Sequence, residues 1–195
     1  MLIFLQIYEL IWYAVATAIM LLVVLLLLRT LLNYADVNPF SWYARIIRSL
    51  TDPLVNPVRR GLVRAGLDPK LSPLITILIA ILLGYIAVQL VWAVLVITLG
   101  GIVESLRRGA IIPLVGYSLY GLLAIYSLMI FMRIVFSWGV SSVNPVLRFL
   151  VRATEPVLGP FRRLIPPLGM FDISPIVVLL LIRLFQEAIA GTLLR

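Results

Sequence analysis

The sequence predicts an all-helical membrane protein in which four transmembrane helices form two hairpins. Of its 195 residues, 63% are hydrophobic and 12% are charged, whereas soluble domains carry about 25% charged residues. Long uncharged runs recur along the chain, with more apolar surface than one soluble core can bury. A ten-residue pattern also occurs twice, as TDPLVNPVRR at residues 51–60 and as TEPVLGPFRR at residues 154–163. We therefore interpret the chain as an internal duplication with one hairpin in each half.

Composition also narrows the classes of function. The chain has no His and no Cys, so it offers no disulfide framework, no thiolate nucleophile and no His-based metal site. We find no nucleotide-binding loop or nucleophile motif in the sequence. We expect no catalytic residue, no metal and no cofactor, and hence no enzyme. The net charge of +8 indicates attraction to an anionic membrane surface, and we expect no nucleic-acid partner.

Two features define the first and third spans. Each is an uncharged run that is closed by an arginine, Arg29 or Arg133. At about 1.5 Å per residue these runs can cross a hydrocarbon core of roughly 30 Å. We expect Arg29 to extend toward the lipid head groups. The N-terminal residues lack the basic region of a cleaved signal peptide, so we expect them to begin the first span. The expected spans are at about residues 10–29, 73–99, 110–133 and 175–194.

The second apolar run is longer than one span requires. It begins beside Ser72-Pro73, in which Ser can cap a helix and Pro favours its first turn. It stays uncharged to residue 103. Two spans would need about 40 residues. We therefore expect one tilted span, a break near Gly100-Gly101, and a short loop over residues 104–109.

Each half also contains an expected amphipathic helix between its two spans. Asn-Pro pairs supply an N-cap and a proline at the first helical position. Arg45, Arg48 and Asp52 then share one face beside apolar residues, a pattern typical of a helix in the membrane interface. Arg148, Arg152 and Glu155 repeat this stripe. We expect the proline that follows Asp52 to end the first of these helices. The residues expected to shape both repeats are Asn38, Pro39, Asp52, Pro53, Pro57, Asn144, Pro145, Glu155, Pro156 and Pro160.

The two halves, residues 1–103 and 104–195, match in the order of their elements. Their loops at residues 33–72 and 136–174 contain ten Arg and Lys residues, against three on the opposite side. Since cytoplasmic loops are enriched in basic residues, we expect both loops in the cytoplasm and both termini outside it. Because each half crosses twice, the halves are expected to be parallel repeats. The expected location is the inner (plasma) membrane of the cell.

Several motifs of the second half form a recognisable set. They are SW at residues 137–138, NP at 144–145, TEPVLGPFRRLIPPLG at 154–169 and DISP at 172–175. This set resembles the YggT family, which includes bacterial YggT and YlmG proteins and a chloroplast relative associated with cytochrome cofactor assembly. The resemblance implies a multi-pass membrane protein with two repeats. It also implies links to cell division and nucleoid distribution, to osmotic or potassium tolerance, or to assembly of photosynthetic complexes, and it supplies no catalytic residues.

The first half departs from this family pattern. Asn33-Tyr34 stands in place of Ser137-Trp138, and residues 61–71 replace residues 164–173. The second repeat is therefore the better candidate for the family's function.

The twin arginines of the ten-residue pattern follow two prolines four residues apart. Such prolines exclude an ordinary helix between them, so we expect a rigid turn that presents arginines to lipid phosphates or to an acidic partner. The alternative is that solvated basic residues only set the topology. Glu155 and Asp52 would pair with a neighbouring arginine and fix the turn. The candidate docking or lipid-binding residues are Arg162, Arg163, Arg59, Arg60, Arg148, Arg152, Arg45 and Arg48.

Arg183 and Glu187 form a candidate polar pair near the middle of the fourth span. They are one helical turn apart, so they can pair with each other. One hypothesis places them on an ion or proton path inside a bundle. The other is structural: the pair neutralises itself and docks this helix against Gln89 or a second subunit.

These observations favour a non-enzymatic scaffold that organises or assembles membrane complexes, with a role in cell division among the options. Two alternatives stay open, an oligomeric ion-conducting protein tied to osmotic or potassium tolerance, and a sensor of anionic lipid or curvature. The expected partners are the bilayer with its anionic lipids, other membrane proteins and further copies of this chain.

Overall fold

A computed structural model describes residues 2–34, 41–64, 66–139, 144–165 and 172–194. Asn38 and Pro39 lie outside the described residues. Residues 166–171, which belong to the segment 164–173, also lie outside them. Within it the chain is helical, with no strand assigned. The helices are α1 (Leu2–Tyr34), α2 (Trp42–Arg64), α3 (Ser72–Trp92), α4 (Gly100–Arg108), α5 (Ile111–Gly139), α6 (Pro145–Leu164) and α7 (Ser174–Leu193).

Four helical stretches of the described residues are long and apolar enough to cross a membrane, as the sequence predicts. They are Leu2–Leu32, Pro69–Arg108, Ile111–Ser137 and Ser174–Leu193. Many of their large aliphatic side chains are exposed in the isolated chain, which suits contact with lipid. These features indicate a membrane protein.

The second stretch differs from the sequence prediction. It is helical over 40 residues, because a π-helical segment (Ala93–Leu99) joins α3 directly to α4. The expected break at Gly100-Gly101 and the expected loop over residues 104–109 are therefore wrong. The helix ends only at Gly109, whose φ of 65° is left-handed, a conformation that glycine adopts without strain. Gly101 serves packing instead, since a Cβ there would lie 2.3 Å from the Tyr117 ring.

The prolines of the ten-residue pattern also lie where the sequence reasoning did not expect them. Pro53 and Pro57 are inside α2, and Pro156 and Pro160 are inside α6. The expected rigid turn, and the expected end of α2 at Pro53, are therefore wrong. Each proline removes one backbone N–H, but a spacing of four puts both defects on one side of the helix. In α6 that side is exposed, so the orphaned carbonyls are not sealed in a dry core.

The opposite side of each proline-containing helix is buried. Leu147, Leu150, Thr154 and Leu158 follow one another along α6 at helical spacing, and all four are buried. In α2 the buried face includes Thr51, Val55, Val58 and Leu62. Burial of this face stabilises a helix that proline alone would disfavour, because packing contributes more than intrinsic propensity.

The described residues form two compact units. One comprises residues 13–85 and the other residues 2–12, 86–165 and 172–194. In the first unit α1 packs on α3 at Gly84, where a Cβ would lie 2.0 Å from Cδ1 of Ile19. In the second unit α6 packs on α5 and α7.

The second unit has two hydrophobic centres. One joins α5, α6 and α7 through Ile130, Leu158, Val178 and Ile182. The other joins the π-helical segment to α5 and consists of Ala93, Tyr120 and Ala124. The first of these centres packs α6 against α5 and α7, so that polar side chains of the three helices come into contact.

Candidate functional site

The first polar cluster joins the end of α1 to the middle of α2. The Arg29 side chain is 10% exposed, and its Nη1 lies 2.8 Å from Oδ1 of Asp52. The same nitrogen donates a 2.7 Å hydrogen bond to Oγ1 of Thr51. The Thr51 hydroxyl is fully buried and donates in turn to the carbonyl of Ile47, at 2.7 Å. Arg29 is therefore held by the next helix, a contact that the sequence reasoning did not predict.

The second repeat contains the same arrangement between α5 and α6. Nη1 of Arg133 donates a 2.8 Å hydrogen bond to Oγ1 of Thr154, and Nη2 lies 2.7 Å from Oε2 of Glu155. Thr154 donates to the carbonyl of Leu150, at 2.7 Å. We call this repeated feature, Arg29–Thr51–Asp52 and Arg133–Thr154–Glu155, the arginine–threonine–acid link.

This link corrects the expected partner of the two acids. The sequence reasoning paired Asp52 and Glu155 with a neighbouring arginine such as Arg48 or Arg152. In the structure each acid contacts an arginine from the preceding membrane helix, and Glu155 also contacts Arg162 of its own helix. A local spacing rule cannot find such a pair. Only a comparison of the two repeats could have indicated this pairing. The two arginines are 104 residues apart and the two Thr-acid pairs are 103 apart, so both features recur at nearly the same offset.

In the second repeat the link continues into α7. Glu155 accepts from Nη1 of Arg162 at 3.2 Å, and Nε of Arg162 contacts Oδ2 of Asp172 at 2.5 Å. The other Asp172 oxygen accepts a 2.9 Å hydrogen bond from the backbone N–H of Ser174, at the start of α7. Burial alone would raise the pKa of the Asp172 carboxyl, but its hydrogen bonds with Arg162 and Ser174 lower that pKa overall. Asp172 therefore connects Arg162 to the first residue of α7, and the network extends across three helices.

The first repeat has an open cavity at the corresponding place. Its volume is about 430 Å³, and its walls include Arg29, Arg48, Asp52, Arg59, Lys70 and Ser72. Arg59 matches Arg162 in the ten-residue pattern, and Lys70 precedes the Ser72-Pro73 pair by two residues, as Asp172 precedes Ser174-Pro175. A lysine thus replaces the acid that closes the second repeat.

The candidate arginines fall into two groups. Arg162 is engaged in the network, and Arg48 is half-buried. The other candidates have exposed side chains: Arg45, Arg59, Arg60, Arg148, Arg152 and Arg163. Asn144 accepts a 2.9 Å hydrogen bond from the N–H of Val146, which confirms its predicted role as the N-cap of α6, with Pro145 at the first turn.

The polar pair of the fourth span is formed in the structure. Nη2 of Arg183 lies 2.9 Å from Oε1 of Glu187, and the two side chains are 59% and 61% exposed. Gln186 of α7 is buried, and its side-chain amide donates a 3.4 Å hydrogen bond to the carbonyl of Tyr120. Sequence reasoning did not select Gln186, although an amide side chain inside an apolar span could have indicated a polar contact between helices. In the described part of the chain no group of three or more acidic residues could hold a metal ion.

Comparison with known proteins places this architecture in a family. A family model described as CCB3/YggT matches residues 8–91 and again residues 112–193. An uncharacterised YggT protein of Escherichia coli K12 is 23% identical over 93% of this chain and 89% of its own length. An uncharacterised protein of Pseudomonas aeruginosa is 28% identical over 93% of this chain and 88% of its own.

A chloroplast protein gives a more local match. The YlmG homolog protein 2 of Arabidopsis thaliana is 35% identical, over 38% of this chain and 30% of its own length. No solved structure matches the chain significantly. Because the family model covers most of both halves, the predicted resemblance is confirmed, and the chain belongs to the CCB3/YggT family.

Proposed function

We propose that this protein is a non-enzymatic scaffold that organises or assembles partner membrane complexes. The observation that carries the proposal is the arginine–threonine–acid link, which occurs once in each repeat. It anchors α2 to α1 and α6 to α5 through nearly buried arginines. The duplicated pattern thus maintains the orientation of two helices that follow membrane spans, as a docking platform requires.

The exposed arginines supply the surface of this platform. Arg148, Arg152 and Arg163 are exposed along α6, whose opposite face is buried. Exposed apolar side chains lie on the same helix, with Phe149 62% exposed and Leu164 77% exposed. Basic and apolar residues side by side suit the membrane interface and an acidic partner segment.

The proposed orientation follows from the distribution of charge. We place α2 and α6 as interfacial helices on the cytoplasmic face of the inner membrane, and both termini on the other side. The halves 1–103 and 104–195 are then parallel repeats, each with two crossings. The family match falls once in each half, which supports this division.

Crosslinking and mass spectrometry on the protein in its native membranes test the proposal. We expect near-stoichiometric crosslinks from residues 144–165 to another membrane protein. A triple variant, Arg148→Ala, Arg152→Ala and Arg163→Ala, should reduce partner recovery about tenfold without lowering the protein level. Arg162 is left intact because it belongs to the network.

The matched control removes an exposed charge elsewhere. Arg107→Ala at the end of α4 should leave partner recovery unchanged, since the proposed topology puts it on the opposite side of the membrane. Equal recovery from the triple variant and the wild type would show that α6 is not the docking surface. Self-crosslinks alone, centred on α7, would favour an oligomer instead of a scaffold.

One observation favours the second candidate, an oligomeric ion-conducting protein. Arg183 and Glu187 are charged, lie within a membrane-length helix and are more than half exposed in the isolated chain. Since hydrocarbon disfavours such charges, a neighbouring subunit would have to cover them. This candidate predicts cation flux that depends on Glu187.

A further inference from the structure

The two repeats differ at one position that decides whether a basic site is closed or open. In the second repeat Arg162 contacts the carboxylate of Asp172, which also accepts the N–H of Ser174 at the start of α7. The chain thereby provides its own anion at the place where α6 meets the next span. In the first repeat Lys70 stands at the position of Asp172, so this internal anion is missing.

The site that results has a strong positive charge. Four basic side chains, Arg29, Arg48, Arg59 and Lys70, face the cavity against the single carboxylate of Asp52. That carboxylate is already bound by Arg29, at 2.8 Å. Among the described residues Arg59 and Lys70 form no ion pair. Arg59 and Lys70 therefore provide two cationic groups of this cavity for an anionic ligand.

The nearby acid does not neutralise this cavity. Asp68 is exposed, and its Oδ1 accepts the backbone N–H of Lys70 at 2.8 Å, which caps the short 3₁₀ turn Pro69–Leu71. Asp68 is not among the residues that line the cavity. The 3₁₀ turn leads directly into α3, so the positive end of a helical dipole points to the same place.

The dimensions and position of the cavity indicate its ligand. A volume of about 430 Å³ is within the range of small-molecule sites, which is about 300–1,000 Å³. Arg29 closes the apolar run of α1, and Ser72 opens that of α3, so the cavity lies where a span meets the lipid head groups. Arginine and lysine together are the usual ligands of a phosphate group.

We propose that the Arg59–Lys70 cavity of the first repeat binds the phosphate of an anionic lipid head group, and that Asp172 blocks the equivalent site of the second repeat. The inference does not depend on the scaffold proposal, because lipid binding and partner recovery are measured separately and on different residues.

The test measures lipid binding to the full-length protein, purified in detergent and stripped of lipid. Native mass spectrometry with short-chain phosphatidylglycerol should give one bound lipid per chain, and the same titration with phosphatidylcholine should give none. Arg59→Gln should weaken phosphatidylglycerol binding about tenfold or more, a change of about 1.4 kcal/mol. Arg60→Gln is the matched control, because this neighbouring exposed arginine lies outside the cavity.

A charge exchange between the repeats gives a second, independent readout. Lys70→Asp should abolish phosphatidylglycerol binding, because the new carboxylate would form an ion pair with Arg59, as Asp172 does with Arg162. Because Lys70 is exposed, its replacement should not unfold the protein. An unchanged unfolding temperature would verify that lost binding is not due to unfolding. Asp172→Lys should open a second site and raise the stoichiometry to two lipids per chain.

Three results would overturn the proposal. Equal binding by Arg59→Gln and Arg60→Gln would indicate a diffuse basic surface instead of a site. Unaltered binding by Lys70→Asp would exclude the cavity. If inorganic phosphate binds at these residues and phosphatidylglycerol does not, the lipid assignment is wrong.

Discussion

Arg133 donates a 2.8 Å hydrogen bond to the buried hydroxyl of Thr154, across the boundary between α5 and α6. Arg29 makes the equivalent 2.7 Å bond to Thr51 in the first repeat. Each threonine is fully buried, and its hydroxyl donates a hydrogen bond to the carbonyl four residues earlier in its helix. A buried guanidinium needs such partners, because an uncompensated charge in a dry environment is strongly destabilising. The link therefore ties each proline-containing helix to the span that precedes it.

Replacement of the threonine hydroxyl tests this role. Thr154→Val keeps the size of the side chain but deprives the Arg133 guanidinium of one acceptor. Hydrogen bonds to charged groups contribute about 1.5–3 kcal/mol, and about 1 kcal/mol changes the melting temperature by roughly 2–4 °C in a chain of this size. We expect a decrease of about 3–10 °C in the unfolding temperature of the detergent-solubilised protein.

Thr192→Val is the matched control for this change. Thr192 makes the same bond to the carbonyl four residues earlier, at 2.8 Å, but it is exposed, and no arginine among the described residues donates to it. Its replacement should shift the unfolding temperature by about 1–2 °C at most. Equal shifts for the two variants would mean that the arginine contact adds nothing to stability.

The network around Asp172 predicts a dependence of stability on pH. Because its hydrogen bonds outweigh burial and lower its pKa below the ordinary value of 3.8, the carboxylate form is favoured in the folded state. Its contribution is therefore complete above pH 3.8 and is lost as pH falls through the lower folded-state value. Asp172→Asn should lower stability by roughly 1 kcal/mol at pH 7, and this difference should shrink below about pH 4.

Thermal unfolding of the wild type and of Asp172→Asn between pH 3 and pH 7 measures this difference. Glu104→Gln provides the comparison, because Glu104 belongs to an exposed ion pair with Arg108, and such pairs contribute little. A difference for Asp172→Asn that grows as the solution is acidified would have the wrong sign for this account.

Close helix packing around the π-helical segment predicts an effect of one methyl group. A Cβ at Gly121 would lie 2.3 Å from Cγ2 of Thr98, and Thr98 is buried and bonded to the carbonyl of Ala93 at 2.8 Å. Since overpacking costs typically about 1–3 kcal/mol, Gly121→Ala should lower the unfolding temperature by several degrees. Gly191→Ala is the control in α7, where a Cβ meets no atom within 4 Å.

The two alanine variants should change stability in opposite directions. Alanine is favoured over glycine inside a helix by about 1 kcal/mol, so Gly191→Ala should stabilise the protein slightly. Thermal unfolding of both variants in the same detergent provides the comparison. A stabilising Gly121→Ala would show that the contact with Thr98 is looser than the structure indicates.

Local sequence signals predicted part of this molecule well. The uncharged runs gave the four membrane-length helices, and Asn144-Pro145 gave the start of α6, because capping depends on adjacent residues. The prolines misled, because Pro156 and Pro160 are compatible with a helix whose other face is buried. That compensation comes from α5 and α7, which no local pattern reveals.

The site was harder to predict for the same reason. The sequence identified Asp52 and Glu155 as structural acids, but not their contacts with Arg29 and Arg133, since those two arginines belong to the preceding helix. The contrast between Lys70 and Asp172 was visible in an alignment of the repeats. Its meaning required the geometry, because only the structure shows Asp172 against Arg162.

Variants of the exposed ion pair of α7 can distinguish a scaffold from an ion-conducting protein. Glu187→Gln leaves Arg183 without its 2.9 Å partner inside an apolar helix, where a central charge costs about 2.5–3.5 kcal/mol on the insertion scale. We expect this variant to unfold at a lower temperature. The double replacement Arg183→Leu with Glu187→Leu should recover the wild-type value or exceed it, because apolar residues commonly replace an ion pair without loss of stability.

Potassium flux through proteoliposomes completes this comparison. If α7 is structural, the wild type, Glu187→Gln and the double leucine variant should all show the background flux of empty liposomes. The double variant controls for misfolding, since it lacks the charges but retains the helix. A wild-type flux that both variants lose, with the double variant as stable as the wild type, would contradict the scaffold and assign ion conduction to this face of α7.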